Sequence, residues 1–296
     1  MYFDIGYDME QVLYNALIVV GALLVSIYNF SHIRHKKSFL STVSQKIVSR
    51  AETTEIKLPI KTIAAIVEIF IILVLYYFSG GVMNVLFGQV LRMSPNYYGT
   101  VFFAPLLLVA GCYILGLDVI KVFDMIAPTY SLGLIFSKIA CFFAGCCSGI
   151  EWEHGLYNYG DSAYQVPIQL IEAAWVLLIF VIISAVRKKS KPGTGFPLYL
   201  ILYSSIRFFS EFLRSDPDIF VGLKLYHFCC IAGVIVGIAT YIIAVKYADK
   251  ISHCFIENNP VSCFICEKFD KACSAHDKRK KKMQKKPIVH HKKKKK

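Results

Sequence analysis

Two arginines and a glutamate interrupt an apolar stretch that is otherwise long enough to cross a lipid bilayer. Arg207, Glu211 and Arg214 follow an apolar run that begins near residue 196, and Tyr203 precedes them by one helical turn. At 3.6 residues per turn these four positions fall on one face of a helix. Charge inside a membrane is costly, and a guanidinium matches the oxygens of a phosphate group. The stripe therefore predicts a site for an anionic group, with an i,i+4 structural ion pair between Arg207 and Glu211 as the alternative.

The elements that must position this stripe are predicted to be membrane-spanning helices. The chain has 296 residues, 56% of them hydrophobic, and a mean hydropathy of +0.52, which is too apolar for a soluble domain. We predict an all-α polytopic membrane protein with seven spans, at 11–30, 62–79, 99–117, 125–145, 166–186, 195–213 and 225–246. Lysine and arginine concentrate in the loops after the first, third and fifth spans and in the C-terminal tail. This asymmetry predicts a multi-pass protein of the cell membrane with its N-terminus outside and its C-terminus in the cytoplasm.

Polar residues from four other spans reach the same depth as the charged stripe: Tyr14, Tyr98, Lys138, Gln169 and Glu172. With a rise of about 1.5 Å per residue, Arg207 and Lys138 lie about 18 Å and about 21 Å from the cytoplasmic ends of their spans. Cations beside tyrosines in this outer layer favour the phosphate of a phospholipid head group. The alternatives are that Tyr14 and Tyr98 are interfacial anchors, and that Lys138 and Arg214 extend to the membrane surface.

The formal net charge of +13 does not indicate nucleic-acid binding, because most of the excess lies in the tail and a few short loops. We predict a transmembrane domain over residues 1–246 and a basic, disordered cytoplasmic tail over 247–296. The tail contains ligand types suited to zinc at Cys263, Cys266, Cys273 and His276. The second ligand pair is incomplete and a reduced cysteine-rich tail is the alternative, so no metal site is assigned.

Three short motifs occur in a fixed order along the chain. They are Asp124-Met-Ile-Ala-Pro128 with Lys138-Ile-Ala-Cys141-Phe-Phe-Ala-Gly145-Cys146-Cys147-Ser-Gly149, then Val166-Pro167-Ile-Gln169-Leu-Ile-Glu172-Ala, and finally Tyr203-x3-Arg207-x3-Glu211-x2-Arg214. In the order and spacing of these motifs, residues 10–245 resemble the prolipoprotein diacylglyceryl transferase family. The resemblance implies transfer of the diacylglyceryl group of phosphatidylglycerol to a cysteine thiol of a prolipoprotein at the outer leaflet. The implied partners are phosphatidylglycerol, the prolipoprotein signal-peptide region and the bilayer, with no cofactor.

The resemblance also implies roles for individual residues. The implied catalytic residues are Tyr98, Lys138 and Arg207, and the implied substrate-binding residues are Gln169, Glu172, Tyr203, Glu211 and Arg214. Tyr14 is added to the substrate-binding residues because of its depth. Arg207 and Arg214 would hold the lipid phosphate, while Glu211 would orient a basic group.

Two positions depart from the family pattern. Lys138 stands where the family has an arginine, and lysine lacks the planar fork that binds two phosphate oxygens. Tyr98 stands where the family commonly has a histidine, and an ordinary pKa of about 10 makes tyrosine a poor base at neutral pH. A phospholipid-binding paralogue without catalysis is therefore one alternative. An anion transporter is another, although the apolar inner halves of the spans argue against it.

Overall fold

The computed structural model describes residues 7–33, 66–67, 70–71, 74, 82, 97–159, 161–186, 189–215, 222–256 and 267. Most of the predicted span 62–79, and the tail cysteines Cys263 and Cys266, lie outside these residues. The elements in chain order are α1 Tyr7–Ile33, α2 Tyr97–Leu115, α3 Val119–Phe143, β1 Glu151–Asn158, β2 Ala163–Gln165, α4 Ile168–Val186, α5 Gly195–Ser210, a 3-10 turn Glu211–Leu213, and α6 Leu225–Ile256.

Each of these α-helices coincides with a predicted span to within a few residues, apart from the far end of α6. That helix continues to Ile256, so the predicted start of the tail at 247 lies inside it. By length and composition, α3, α4 and α6 can each cross a membrane, and α1 and α2 contain the shorter apolar stretches Val12–Tyr28 and Pro105–Ile114. A helical membrane architecture is thus confirmed in outline. The number of spans and their orientation stay predictions.

Helix α3 lies at the centre of the described bundle and packs against α1, α4, α5 and α6. Residues 125–131 are buried without interruption, so every side of this helix is covered. A helix that is apolar all round is suited to such a position. Tyr130 of α3 meets Phe196 and Tyr199 of α5 with ring centroids 5.6 and 5.8 Å apart. Because α3 touches most of its neighbours, it fixes where the polar groups near its C-terminal end lie.

The start of α5 is tied to α3 by one carboxylate. The side chain of Asp124 accepts hydrogen bonds from the backbone N–H groups of Gly193, at 2.6 Å, and Gly195, at 2.9 Å. Gly195 begins α5 and Gly193 lies two residues before it, where backbone N–H groups have no intrahelical acceptors. A negative charge there is also favoured by the helix dipole. This contact therefore sets the axial position of α5, which carries Arg207.

A two-stranded antiparallel hairpin follows α3, which the all-α prediction did not anticipate. Strand β1 pairs with β2, and a register shift lies between Glu151 and Leu156. The fully buried Asn158 fastens the hairpin by donating to Gln165 Oε1 at 2.9 Å, Ser148 Oγ at 3.1 Å and the Gly145 carbonyl at 3.3 Å. Tyrosine and tryptophan favour strands, so the segment pairs with itself once α3 has ended.

Candidate functional site

Glu172 of α4 lies at the centre of a buried set of charges. Its Oε2 lies 2.5 Å from Nζ of Lys138 on α3. Its Oε1 pairs with the guanidinium of Arg207 on α5, accepts from Ser210 Oγ at 3.3 Å, and lies 3.9 Å from Nη1 of Arg214. One carboxylate therefore joins three cations from three parts of the chain. We call Lys138, Glu172, Arg207, Glu211 and Arg214 the charge cluster.

Glu211 supplies the second carboxylate of the charge cluster. Its Oε2 lies 2.6 Å from Nη2 of Arg207 and 3.9 Å from Nε of Arg214. All five residues are buried, and Glu211 is 0% exposed. With each group ionised, the cluster carries three positive and two negative charges, a net charge of +1. Moving charges out of water costs several kcal/mol per ion, so an unbalanced buried charge is well placed to attract a counter-ion.

The backbone around Arg214 is held in place by a lysine that the sequence did not single out. Nζ of Lys224 donates to the carbonyl of Glu211 at 2.9 Å and to that of Arg214 at 2.5 Å. Lys224 is itself buried. A cation on carbonyls at the end of a helix satisfies groups that lack intrahelical partners. In the sequence, Lys224 is visible only as a positive charge just before α6. No local sequence pattern connects it to Glu211 and Arg214, which lie ten to thirteen positions earlier.

The segment after α3 supports the same turn from the other side. Ile150 N–H donates to the Leu213 carbonyl at 2.9 Å, and the hydroxyl of Ser215 donates to the Gly149 carbonyl at 2.6 Å. A Cβ on Gly149 would lie 2.4 Å from the carbonyl oxygen of Val166, so only glycine fits there. The turn that carries Arg214 is therefore held between the end of α3 and the start of α4.

The structure brings five predicted site residues together and places the others around them. The five are Lys138, Glu172, Arg207, Glu211 and Arg214. Gln169, one turn before Glu172, donates to the Cys146 carbonyl at 2.7 Å, and its Oε1 has no hydrogen-bond partner among the described residues. Tyr203 is buried and stacks on Tyr199 with ring centroids 5.7 Å apart.

The two remaining predicted residues belong to α1 and α2. Tyr14 is half-buried in α1, within electrostatic range of the cysteines at 141, 146 and 147. The backbone of Tyr98 lies in the first turn of α2, and its side chain is outside the described part of the structure. The Arg207–Glu211 ion pair that the sequence offered as an alternative is present. It forms within the larger cluster, and the Lys138 ammonium lies inside the bundle.

An apolar cavity of about 350 Å³ lies elsewhere in the bundle. Its walls include Val119 and Ile120 at the start of α3 and Phe196 and Pro197 at the start of α5, and none of the described residues that line it is ionisable. The charge cluster lies near the opposite ends of the same helices. The described walls of the cavity therefore offer no charged group to a head group.

The arrangement is suited to holding a singly charged phosphodiester. Two guanidiniums and an ammonium provide donors for several phosphate oxygens, and one added negative charge brings the cluster to neutrality. The two carboxylates separate the cations and hold them in position.

Comparisons with known proteins agree with this chemistry. The model of the prolipoprotein diacylglyceryl transferase family matches residues 2–243. The chain is 32% identical over 133 residues to the phosphatidylglycerol–prolipoprotein diacylglyceryl transferase of Clostridium tetani, covering 42% of this chain and 53% of that protein. It is 34% identical over 134 residues to phosphatidylglycerol–prolipoprotein diacylglyceryl transferase 2 of Clostridium perfringens, covering 42% and 52%. The chain spans about half the length of the curated relatives it matches.

Proposed function

The chain belongs to the prolipoprotein diacylglyceryl transferase family, and we propose that it transfers the diacylglyceryl group of phosphatidylglycerol to a cysteine thiol of a prolipoprotein. The observation that carries this proposal is the buried charge cluster, in which Lys138, Arg207 and Arg214 meet at the carboxylate of Glu172. When all five groups are ionised, three cations against two carboxylates leave one positive charge for the single negative charge on the phosphodiester of phosphatidylglycerol. The names of the two relatives given above contain the same donor lipid and the same acceptor protein.

The reaction joins the acceptor sulfur to a glycerol carbon of the lipid. The thiolate attacks that carbon, the carbon–oxygen bond to phosphate breaks, and its electron pair leaves with glycerol phosphate. Charge develops on the departing phosphate, so cations that bind it more tightly in the transition state accelerate the step. We assign this role to Arg207, Arg214 and Lys138, with Glu172 and Glu211 orienting them.

The remaining predicted residues take supporting positions in the proposed mechanism. Gln169 and Tyr203 line the head-group site beside the charge cluster, with Tyr14 at its edge. Tyr98 takes the position of the family's histidine. In the proposed topology seven helices span the plasma membrane, with the N-terminus outside and the tail in the cytoplasm. The cluster then lies just below the outer surface, where the signal-peptide region of a translocated acceptor arrives.

A second candidate function is phospholipid binding without transfer. The ammonium of Lys138 favours it, because it contacts the carboxylate of Glu172 through a single nitrogen and offers no fork to phosphate. Binding and turnover must therefore be measured separately.

The test uses full-length protein in micelles with radiolabelled phosphatidylglycerol and a lipobox peptide. Wild type is expected to bind the lipid and release labelled glycerol phosphate, whereas Arg207→Ala loses both. Lys189→Ala, at an exposed loop position, is the matched control and is expected to behave as wild type. Lipid binding without release identifies the second candidate, and binding that survives Arg207→Ala contradicts both.

A further inference from the structure

Three cysteines converge where α3 ends. Cys141 lies in the last turn of α3, and Cys146 and Cys147 lie in the turn that follows. Their Sγ atoms all lie within 4.8 Å of one another. Gly145 and Cys147 both adopt left-handed backbone conformations, with φ of 64° and 59°. A non-glycine residue rarely adopts this conformation, and such strain concentrates at functional sites.

We propose that Cys141, Cys146 and Cys147 bind a zinc ion. Thiolates coordinate zinc at about 2.3 Å in tetrahedral geometry, which places two sulfurs about 3.8 Å apart. Sulfurs already within 4.8 Å reach that spacing by side-chain movements of about 1 Å. Soft sulfur ligands select thiophilic ions such as zinc over calcium or magnesium.

The three thiols lie close to the cations of the charge cluster. Cys141 lies one helical turn beyond Lys138 on α3, and the carbonyl of Cys146 accepts from Gln169, one turn before Glu172 on α4. The three-thiol site is thus adjacent to the charge cluster.

Three protein ligands leave the fourth position of a tetrahedral zinc open, which is the pattern of catalytic zinc sites. Resting on the proposed function, we infer that the thiol of the acceptor cysteine occupies that position. A thiol that binds zinc releases its proton to solvent and becomes a thiolate. The sulfur then attacks the glycerol carbon, and the electron pair of the broken carbon–oxygen bond leaves with glycerol phosphate. This route needs no histidine base, which accounts for Tyr98 at that position.

Metal content tests the site independently of activity. The parent protein is the full-length chain with Cys263→Ser and Cys266→Ser, two substitutions that remove the CxxC pair of the tail. After exposure to zinc and gel filtration, elemental analysis is expected to give one zinc per chain. Adding Cys146→Ser is expected to abolish the bound zinc, whereas adding the matched control Cys254→Ser, at an exposed position of α6, leaves it unchanged. The proposal is overturned if the Cys146→Ser variant binds as much zinc as the parent, if the parent binds no zinc, or if the parent contains copper instead of zinc.

The open position is tested by cobalt substitution. Cobalt in a three-thiolate site gives sulfur-to-metal charge transfer and visible bands that respond to the fourth ligand. A lipobox peptide is expected to shift these bands, and the same peptide with serine for cysteine is not. Turnover in zinc-depleted protein would overturn the role of zinc and leave the proposed transferase standing. Peptide-dependent bands without turnover in zinc-loaded protein would refute the transfer reaction and leave the metal site standing.

Discussion

Replacing Glu172 by glutamine removes the central negative charge of the charge cluster and keeps the size of the side chain. The carboxylate lies 2.5 Å from Lys138, pairs with Arg207, and lies 3.9 Å from Arg214. Removal raises the net charge of the cluster from +1 to +2, with Glu211 as the one remaining carboxylate. We expect Glu172→Gln to lose about 3–5 kcal/mol in free energy of unfolding, because breaking a buried pair leaves uncompensated charge. The side chains of Glu172 and Arg207 are only 5% and 6% exposed, so little water is present to screen the uncompensated charge.

A charge-balanced double variant separates electrostatics from packing. Lys138→Met combined with Glu172→Gln leaves Arg207, Arg214 and Glu211, and so restores a net charge of +1. We expect the double variant to be more stable than Glu172→Gln alone, with a coupling energy of about 1–3 kcal/mol. Unfolding is followed by circular dichroism in mixed micelles with increasing sodium dodecyl sulfate. Glu153→Gln, on β1 with its side chain 84% exposed, is the control and should change little.

Two outcomes would refute this reasoning. One is a Glu172→Gln variant within about 0.5 kcal/mol of wild type, the range of ordinary surface substitutions. The other is a double variant whose destabilisation equals the sum of the two single changes, since additivity means that the two residues do not interact.

Three further predictions concern the supports of the site. Lys224→Met removes hydrogen bonds to two carbonyls and is expected to lower stability by about 1.5–3 kcal/mol, read from the same unfolding curves, and to weaken lipid binding. Gly149→Ala places a methyl group 2.4 Å from the Val166 carbonyl and is expected to lower both the unfolding temperature and turnover. Hydrogen bonds from Gln165 and Ser148 lower the pKa of Asp161, so its contribution is present above the ordinary carboxyl pKa and is lost as pH falls through the lowered value. Protection of the hairpin amides against exchange, corrected for the intrinsic pH dependence of the exchange rate, should therefore fall at acidic pH.

Each of these predictions has a matched control. Lys250→Met changes an exposed lysine of α6 and should leave stability unchanged. Gly133→Ala, inside α3 with its nearest contact 4.0 Å away, should be neutral or slightly stabilising, since alanine favours a helix. Asp161→Asn should remove the loss of hairpin protection at acidic pH; a loss that persists would assign it to another group. Wild-type behaviour of Lys224→Met or Gly149→Ala would contradict the supporting roles given to them.

The sequence predicted the helices α1 to α6 and the shared level of Lys138 and Arg207 because both depend on local regularities. Apolar run length located α3, α4 and α5, and a constant rise per residue placed Lys138 at the depth of Arg207. The i,i+4 spacing of Arg207 and Glu211 gave their ion pair as the alternative to an anion site, and the structure contains that pair. Glu172 was expected to line the same site. That it joins three cations became clear only with α3, α4 and α5 packed together.

The features that the sequence missed depend on contacts across turns. Lys224 reaches the carbonyls of Glu211 and Arg214 because the chain reverses between α5 and α6, and no periodicity records such a reversal. The thiol of Cys141 meets those of Cys146 and Cys147 because left-handed backbone turns the chain sharply after α3. The hairpin was missed because hydropathy and positive charge identify spans but do not describe the loops between them.

The mass of the acceptor peptide is the most direct test of the proposed function. Purified full-length protein is incubated with phosphatidylglycerol of defined acyl chains and a lipobox peptide, and the peptide is analysed by mass spectrometry. We expect the peptide to gain the mass of one diacylglyceryl group on the cysteine sulfur, and we expect no gain with Arg207→Ala or with a serine peptide. An unmodified peptide, under conditions in which a known member of the family modifies it, would contradict the proposed transfer.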